Sequence, residues 1–190
     1  MSDCKPGIVV YCASSKNIDQ KYFDFAREVG RQIARAGFAV VSGGGRGGLM
    51  AAVIDGALEA GGETVGVLPR FMMEREWNHP GLHETITTES MHERKMTMAN
   101  RSVGAIALPG GVGTLDELFE IITWRQLGLY NGNVVIANAF GYFDLLLEFL
   151  RHSDDEHFMR AHGLWTVADT PEEAVKAALS NVDFEIVTKY

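Results

Sequence analysis

No stretch of this sequence approaches the ~20 consecutive apolar residues that cross a bilayer. The opening residues, Met1-Ser2-Asp3-Cys4-Lys5-Pro6-Gly7, lack the apolar core of a secretory leader. Neither a membrane partner nor export is therefore expected. Cysteine is scarce: Cys4 and Cys12 are the only two. They show no metal or redox spacing, so a disulfide framework is excluded and a reducing cytoplasm is the expected compartment. His79 and His83 stand four apart, but Pro80-Gly81 between them breaks the helix that would turn both to one metal, and no metal site is expected. Positive charge is in short supply too. Seventeen Lys and Arg face 25 Asp and Glu, a formal net charge of −8. With no basic stripe to follow a phosphate backbone, a nucleic-acid polymer is not an expected partner. A small anion is still compatible if the few cations gather at one place. Repeats, low-complexity tracts and linkers are absent, which predicts one domain over residues 1–190.

Glycine, by contrast, is abundant. Its 21 residues exceed the ~7% of average usage and fall at turns after apolar runs. The most informative case is Leu108-Pro109-Gly110-Gly111-Val112-Gly113-Thr114-Leu115-Asp116-Glu117. Residues 103–108 form a short apolar run that predicts a buried strand. After the turn, Leu115, Leu118, Phe119, Ile122 and Leu127 recur at helical spacing. The glycines thus sit in a strand-to-helix turn where backbone can approach a ligand, and the free N–H groups and dipole of the helix start favour an anion. A Walker A loop is excluded because no Lys-Ser/Thr pair follows the last glycine. Thr114-x-x-Glu117 also spells a capping box, in which Glu117 would bond only backbone N–H groups.

The remaining chain predicts a doubly wound, mostly parallel, Rossmann-like α/β sheet. Residues 7–11 read as a first strand, followed by Cys12-Ala13-Ser14-Ser15, a ligand-facing loop or an ordinary turn. Asp19 can cap a helix whose apolar positions follow a 3.6-residue period, and Gly37 ends it. After a second strand comes Gly43-Gly44-Gly45-Arg46-Gly47-Gly48, formally G-x-G-x-x-G. A dinucleotide site would want it after the first strand, with an acid ending the next; Glu63 instead precedes that strand. The run reads as a second glycine-rich ligand turn, with Gly44 and Gly45 as candidate contacts. Residues 64–68 are a third strand, and residues 70–86 read as one long irregular loop of the kind that serves as a lid. Ser90-Met91-His92-Glu93 starts a helix with Arg94 and Lys95 in its first turns. Cations there are unfavourable by ~0.3–1 kcal/mol each, so either they are solvated or an anion or carboxylate meets them. Strand 133–138, a helix from Tyr142 to Leu150, a solvated turn at Asp154-Asp155, a strand at 165–167 and a helix opened by Thr170-Pro171-Glu172-Glu173 complete the pattern. The loops at 12–15, 42–48, 69–79 and 109–114 all follow strands, so they meet at the sheet's carboxyl edge.

These residues resemble the LOG proteins, cytokinin-activating phosphoribohydrolases often labelled lysine decarboxylases. The likeness rests on P-G-G-x-G-T-x-x-E at Pro109 to Glu117, M-H-x-R-K at Met91 to Lys95, the glycine stretch Gly43 to Met50 and C-x-S-S at Cys12 to Ser15. It runs from about Gly7 to Leu179. The resemblance implies hydrolysis of the N-glycosidic bond of a purine nucleoside 5′-monophosphate, a small-molecule nucleotide substrate, to free base and ribose 5-phosphate, without a metal or organic cofactor. It implies Arg94 and Glu117 as the catalytic pair, Gly111, Val112, Gly113 and Thr114 as the phosphate loop, and Glu76, Lys95 and Thr123 as further substrate contacts. It also implies a homodimer. Ala13 and Trp77-Asn78-His79 depart from the family pattern where base or ribose would be discriminated. Bond cleavage builds positive charge on the ribose, which Glu117 can stabilise or use to deprotonate water; Arg94 stays protonated and instead orients or stabilises charge. A non-catalytic nucleotide sensor or carrier is the competing expectation, with a dinucleotide oxidoreductase or a pyridoxal-phosphate enzyme behind it.

Overall fold

The computed structural model describes residues 5–186, so Cys4 lies outside the described residues. Nine strands are present among them: β1 Gly7–Tyr11, β2 Ala39–Ser42, β3 Thr64–Pro69, β4 Glu84–Thr88, β5 Ser102–Ala107, β6 Asn133–Ala137, β7 Ala161–His162, β8 Thr166–Ala168 and β9 Glu185–Ile186. The helices are α1 Gln20–Arg35, α2 Gly48–Glu59, α3 Arg70–Met73, α4 Met91–Asn100, α5 Val112–Gln126, α6 Asp144–Asp155 and α7 Pro171–Ala178, with a 3-10 turn at Ala139–Gly141. Seven strands form one parallel sheet in the order β4-β3-β2-β1-β5-β6-β8, while β7 and β9 pair separately and antiparallel.

The two faces of the sheet are sorted by the side-chain alternation of its central strands. Ile8 and Val10 of β1 pack with Val29, Ile33, Val53 and Val175 under α1, α2 and α7. Val9 and Tyr11 point the other way, against Met98, Leu118, Ile121 and Phe143 of α4, α5 and the approach to α6. With both faces covered, β1, β2, β3 and β6 are buried along their whole length, and so they read in sequence as apolar runs.

Three boundaries differ from expectation. The expected loop 70–86 contains α3 and the start of β4. Strand β4 has only β3 as a neighbour, and its Glu-Thr-Ile-Thr-Thr pattern is that of an edge strand with a wet outer side. Helix α5 begins at Val112, one turn earlier than the apolar spacing suggests. Asp154 and Asp155 belong to the last turn of α6, where they pair with His162 and Arg151.

Strand order decides where a ligand can enter. Chain order runs one way from β1 through β2 to β4, and the other way from β5 onward. The loops leaving β1 and β5 therefore start side by side and diverge, which opens a crevice at the carboxyl edge. Two backbone bonds join them: Leu108 N–H donates to Tyr11 O (2.8 Å), and Ala13 N–H donates to Pro109 O (3.2 Å).

Candidate active site

A cavity of about 760 Å³ opens at this crevice. The loops after β1, β2, β3 and β5 supply its walls, as the converging strand ends require. Its polar lining includes Ser14, Arg94, Thr114, Asp116 and Glu117. Cys12 lines it as well, but burial, reinforced by the Glu117 charge, pushes the thiol far above its ordinary value, so it is a neutral wall atom and not a nucleophile.

Helix α4 delivers the first functional group. Ser90 caps it by accepting from Glu93 N–H (3.1 Å), and Glu93 returns a bond to Glu89 N–H (2.8 Å), one residue before the cap. One turn on, Arg94 is buried. Its Nε donates to Val67 O (3.0 Å) and its Nη1 donates to Glu117 Oε1 (2.8 Å). Gly43 makes room for this: a Cβ there would lie 1.9 Å from Arg94 Nη2. The guanidinium is thus wedged among the ends of β2 and β3 and the second turn of α5. The cation at the wrong end of α4 is met by a carboxylate and a carbonyl, not by solvent.

Glu117 does not form the capping box that its spacing allows. Because α5 starts at Val112, Thr114 is already inside the first turn, and Glu117 turns to Arg94. Its side chain is 12% exposed. Burial raises its pKa above the ordinary carboxylate value; the Arg94 cation pulls the other way without cancelling this, and Asp116 adds to the rise. A carboxylate moved toward neutrality, in a cavity, with a fixed cation beside it, has the properties of a general base.

Lys95 is absent from the cavity lining, although its charge acts on Glu117. Its Nζ reaches Asp116 (3.1 Å) and Glu120 (3.1 Å). Burial alone would lower the ammonium's pKa, but these two carboxylates outweigh it and raise the value, so the lysine stays charged. Its place is structural contact between α4 and α5, outside the cavity lining. Asp116 lines the cavity on the same side as Glu117 while it binds Lys95, although the helical turn between neighbours suggests separate faces.

The remaining sequence candidates divide. Gly111, Gly113, Thr114, Ser14 and Gly45 line the cavity with the Arg94–Glu117 pair. Val112 points outward and is 85% exposed. Gly44 is buried against Leu68 and Gly66 and acts through backbone packing. Thr123 lies beyond the cavity, its hydroxyl donating to Phe119 O (2.7 Å). Glu76 is an exposed residue at the tip of the α3–β4 connection, with φ of 55°. His79 and His83 turn to different partners, Asp55 Oδ1 at 3.1 Å and Thr64 Oγ1 at 3.1 Å.

Sequence reasoning missed the apolar wall. Met50, Leu68, Met72, Trp77 and Met91 line one side of the cavity. Isolated methionines carry no periodic signal; Met50 and Met91 stand out only as members of the family motifs and Trp77 as a departure from the family pattern, and none of the three marks an apolar lining. The Trp77 ring lies under the Arg75 guanidinium, 5.2 Å away, and its backbone is tied to the glycine turn by Arg46 N–H donating to Trp77 O (2.9 Å). The connection after α3 is thereby stitched to residues 44–46, an arrangement completed by His79 N–H donating to Gly44 O (2.8 Å).

Known proteins resemble this chain in sequence and in fold. A family model described as "Possible lysine decarboxylase" matches residues 50–178. The cytokinin riboside 5′-monophosphate phosphoribohydrolase of Rhodococcoides fascians is 41% identical over 153 residues, 80% of this chain and 77% of that protein. A protein of the same activity name from Arabidopsis thaliana is 37% identical over 171 residues, 89% of this chain and 80% of its own. Among solved structures, the molybdenum cofactor carrier protein of Chlamydomonas reinhardtii superposes with a TM-score of 0.70 at 27% identity, covering 91% of this chain and 95% of that one.

Proposed function

The chain belongs to the LOG family of cytokinin-activating phosphoribohydrolases, and from that membership we propose that it hydrolyses adenosine 5′-monophosphate or an N6-modified form of it. The products are free base and ribose 5-phosphate. The observation that carries this reading is the buried Arg94–Glu117 pair, open to a cavity that also receives the start of α5.

In this reading the 5′-phosphate sits at Gly111, Gly113 and Thr114. The cap residue Gly111 offers no side chain, so the first N–H groups of α5 are left for an anion, and the helix dipole favours one there. The phosphate anchors the substrate away from the reacting carbon, and that remote binding holds C1′ against Glu117. As the C1′–N bond breaks, its electron pair leaves with the base and positive charge develops on the ribose. Glu117 in its ionised form faces that charge and takes a proton from the water that bonds to C1′, while the departing base anion takes a proton from solvent, which leaves neutral base and ribose 5-phosphate. Arg94 holds Glu117 in place, and its charge opposes protonation of the carboxylate. No step calls on a metal or organic cofactor. Ser14 and Gly45 are proposed as further substrate contacts, and Gly44, through Leu68 and Gly66, and Lys95, through Asp116, as supports of the site.

We also propose that the protein acts as a homodimer in the cytoplasm. Phe119, Leu127 and Met96 leave apolar surface exposed on and beside α5 and on α4, and the unpaired Cys12 suits a reducing compartment. No helix among the described residues is long and apolar enough to cross a membrane. Sedimentation equilibrium tests the dimer; a single monomeric species at micromolar concentration would reject it.

The catalytic reading is tested by incubating the protein with adenosine 5′-monophosphate and with its N6-isopentenyl form while following free base and ribose 5-phosphate. Glu117→Gln is expected to reduce turnover by about 10²–10⁴-fold while nucleotide binding persists. Arg94→Lys, which cannot reproduce the two-directional guanidinium contacts, is expected to lose activity as well. Nucleotide binding without turnover in the parent would favour a carrier, the role named for the Chlamydomonas neighbour.

A further inference from the structure

The turn before α5 is pinned from behind. Its Pro109 carbonyl accepts from Ala13 N–H, and its Gly110 carbonyl accepts from the Tyr142 hydroxyl at 2.9 Å. A trans peptide directs its C=O and N–H to opposite sides. Fixing the Gly110 carbonyl on Tyr142 therefore turns the Gly111 N–H away from Tyr142, and Gly111 is a wall of the cavity. The side of Gly110 itself is closed by Thr114, whose Oγ1 would lie 2.0 Å from a Cβ there, so this peptide has little room to rotate.

The connection that presents Tyr142 is built with evident cost. Phe140 is held at φ 58° and Gly141 at φ 72°, two left-handed residues in succession. For phenylalanine that conformation is strained, by roughly 1–3 kcal/mol as a rule, and persists only where the surroundings impose it. Asn138 imposes it: its Oδ1 accepts from Phe143 N–H (2.8 Å) and its Nδ2 donates to Asp144 Oδ1 (2.8 Å). The Tyr142 ring is then fixed edge-to-face against Phe143 (5.0 Å between centroids) and Tyr22 (5.9 Å). Yet Tyr142 is 45% exposed, so core packing alone does not account for so determined a placement.

We infer that Tyr142 is a positioning residue of the anion site: its hydroxyl orients the Gly110–Gly111 peptide so that the Gly111 N–H is presented to the substrate's phosphate. The inference rests on the phosphoribohydrolase reading for the identity of that anion. It assigns Tyr142 no contact with substrate and no part in bond cleavage. Its influence falls on phosphate recognition, not on the rate of the bound complex.

The test compares the parent with Tyr142→Phe, which keeps the ring and removes only the hydroxyl, and with Tyr22→Phe as a control in the same aromatic cluster. Calorimetric titrations use adenosine 5′-monophosphate, ribose 5-phosphate and adenosine. Tyr142→Phe is expected to weaken both phosphorylated ligands about three- to tenfold, the range one hydrogen bond supports, and to leave adenosine and the thermal midpoint unchanged. In turnover, KM rises by the same factor and kcat stays within about twofold. Tyr22→Phe behaves as the parent throughout. Unchanged affinity for the phosphorylated ligands in Tyr142→Phe, with the parent still preferring the nucleotide over adenosine, overturns the role of Tyr142 alone. Equal weakening of all three ligands overturns it too, since that is general damage. A parent with no preference for the nucleotide over adenosine overturns this inference together with the phosphate site beneath it.

Discussion

The two glycine-rich turns, residues 43–48 and 110–113, look alike in sequence and each leads from a strand into a helix. They use glycine for opposite purposes. In the first, a Cβ would collide with protein at three of the five glycines and fit tightly at Gly45 and Gly47. It would meet Arg94 at Gly43, Leu68 and Gly66 at Gly44, and the backbone of Ala13 and Ser14 at Gly48, where the nearest atoms lie 1.9 to 2.5 Å away. Gly44 and Gly48 are also left-handed, with φ of 68° and 62°. In the second, Gly110 is also closed, by Thr114, but Gly111 and Gly113, the two that open α5, have nothing within 4 Å of the added atom. One turn is glycine-rich because the protein fills the space. The other is glycine-rich beside space the protein leaves empty, which is what a ligand site needs.

Substitution can break that contrast. Gly48→Ala forces a side chain into both a left-handed backbone and an occupied space. A stability loss of about 2–5 kcal/mol is expected from the sum of these effects, read as a lower midpoint in urea or heat. A loss near zero would show that the first turn is not packing-driven. Gly111→Val should do the reverse. Its Cβ meets no protein atom, so the loss of unfolding stability is confined to that of a poorer helix cap, about 1 kcal/mol. The KM for adenosine 5′-monophosphate rises at least about tenfold, because the new side chain takes room at the first N–H groups of α5. Equal activity of this variant would sink the assignment of the open turn to phosphate.

A smaller effect sharpens the picture at Glu117. Its folded-state pKa is raised by burial, so the folded protein favours the protonated acid. The stabilisation from that preference is complete below the ordinary carboxylate pKa of about 4.3 and is lost as pH rises through the higher folded value. Glu117→Gln, which cannot ionise, escapes the loss. The difference in melting temperature, variant minus parent, should become more positive between about pH 4 and pH 8. A difference that falls with pH would mean that Arg94 outweighs burial. The acid limb of the parent's activity should likewise lie above the ordinary carboxylate range.

Much of this architecture is legible because parallel strands buried on both faces read as apolar runs. Residues 8–10, 39–41 and 133–137 announce themselves in that way. Strand β4 does not, since an edge strand with Thr85 and Thr87 on its wet side has no such run. Apolar spacing places the start of α5 one turn late for a related reason. Gly-Val-Gly scores poorly as helix, so the extension of α5 back to Val112 is set by tertiary context and not by intrinsic propensity. Arg94 and Lys95 stand out as cations at the unfavourable end of a helix. Their separate fates, one bound to Glu117 and the other to Asp116 and Glu120, depend on the approach of α4 to α5, and spacing along the chain does not encode it. The methionine wall and Tyr142 lie further out of reach, because each owes its position to tertiary contacts alone.

The neighbouring strands β1 and β5 meet through pairs such as Val9 with Ala105, residues far apart along the chain. The cavity between their ends cannot exist in any shorter fragment or half-formed sheet. It appears only when this distant pairing is made. An anion that spans Ser14 on one side and Gly111 on the other would then act as a latch across the seam, slowing its opening as well as marking its closure. Substrate would defend the sheet at the strand pairing that joins its most distant segments of chain.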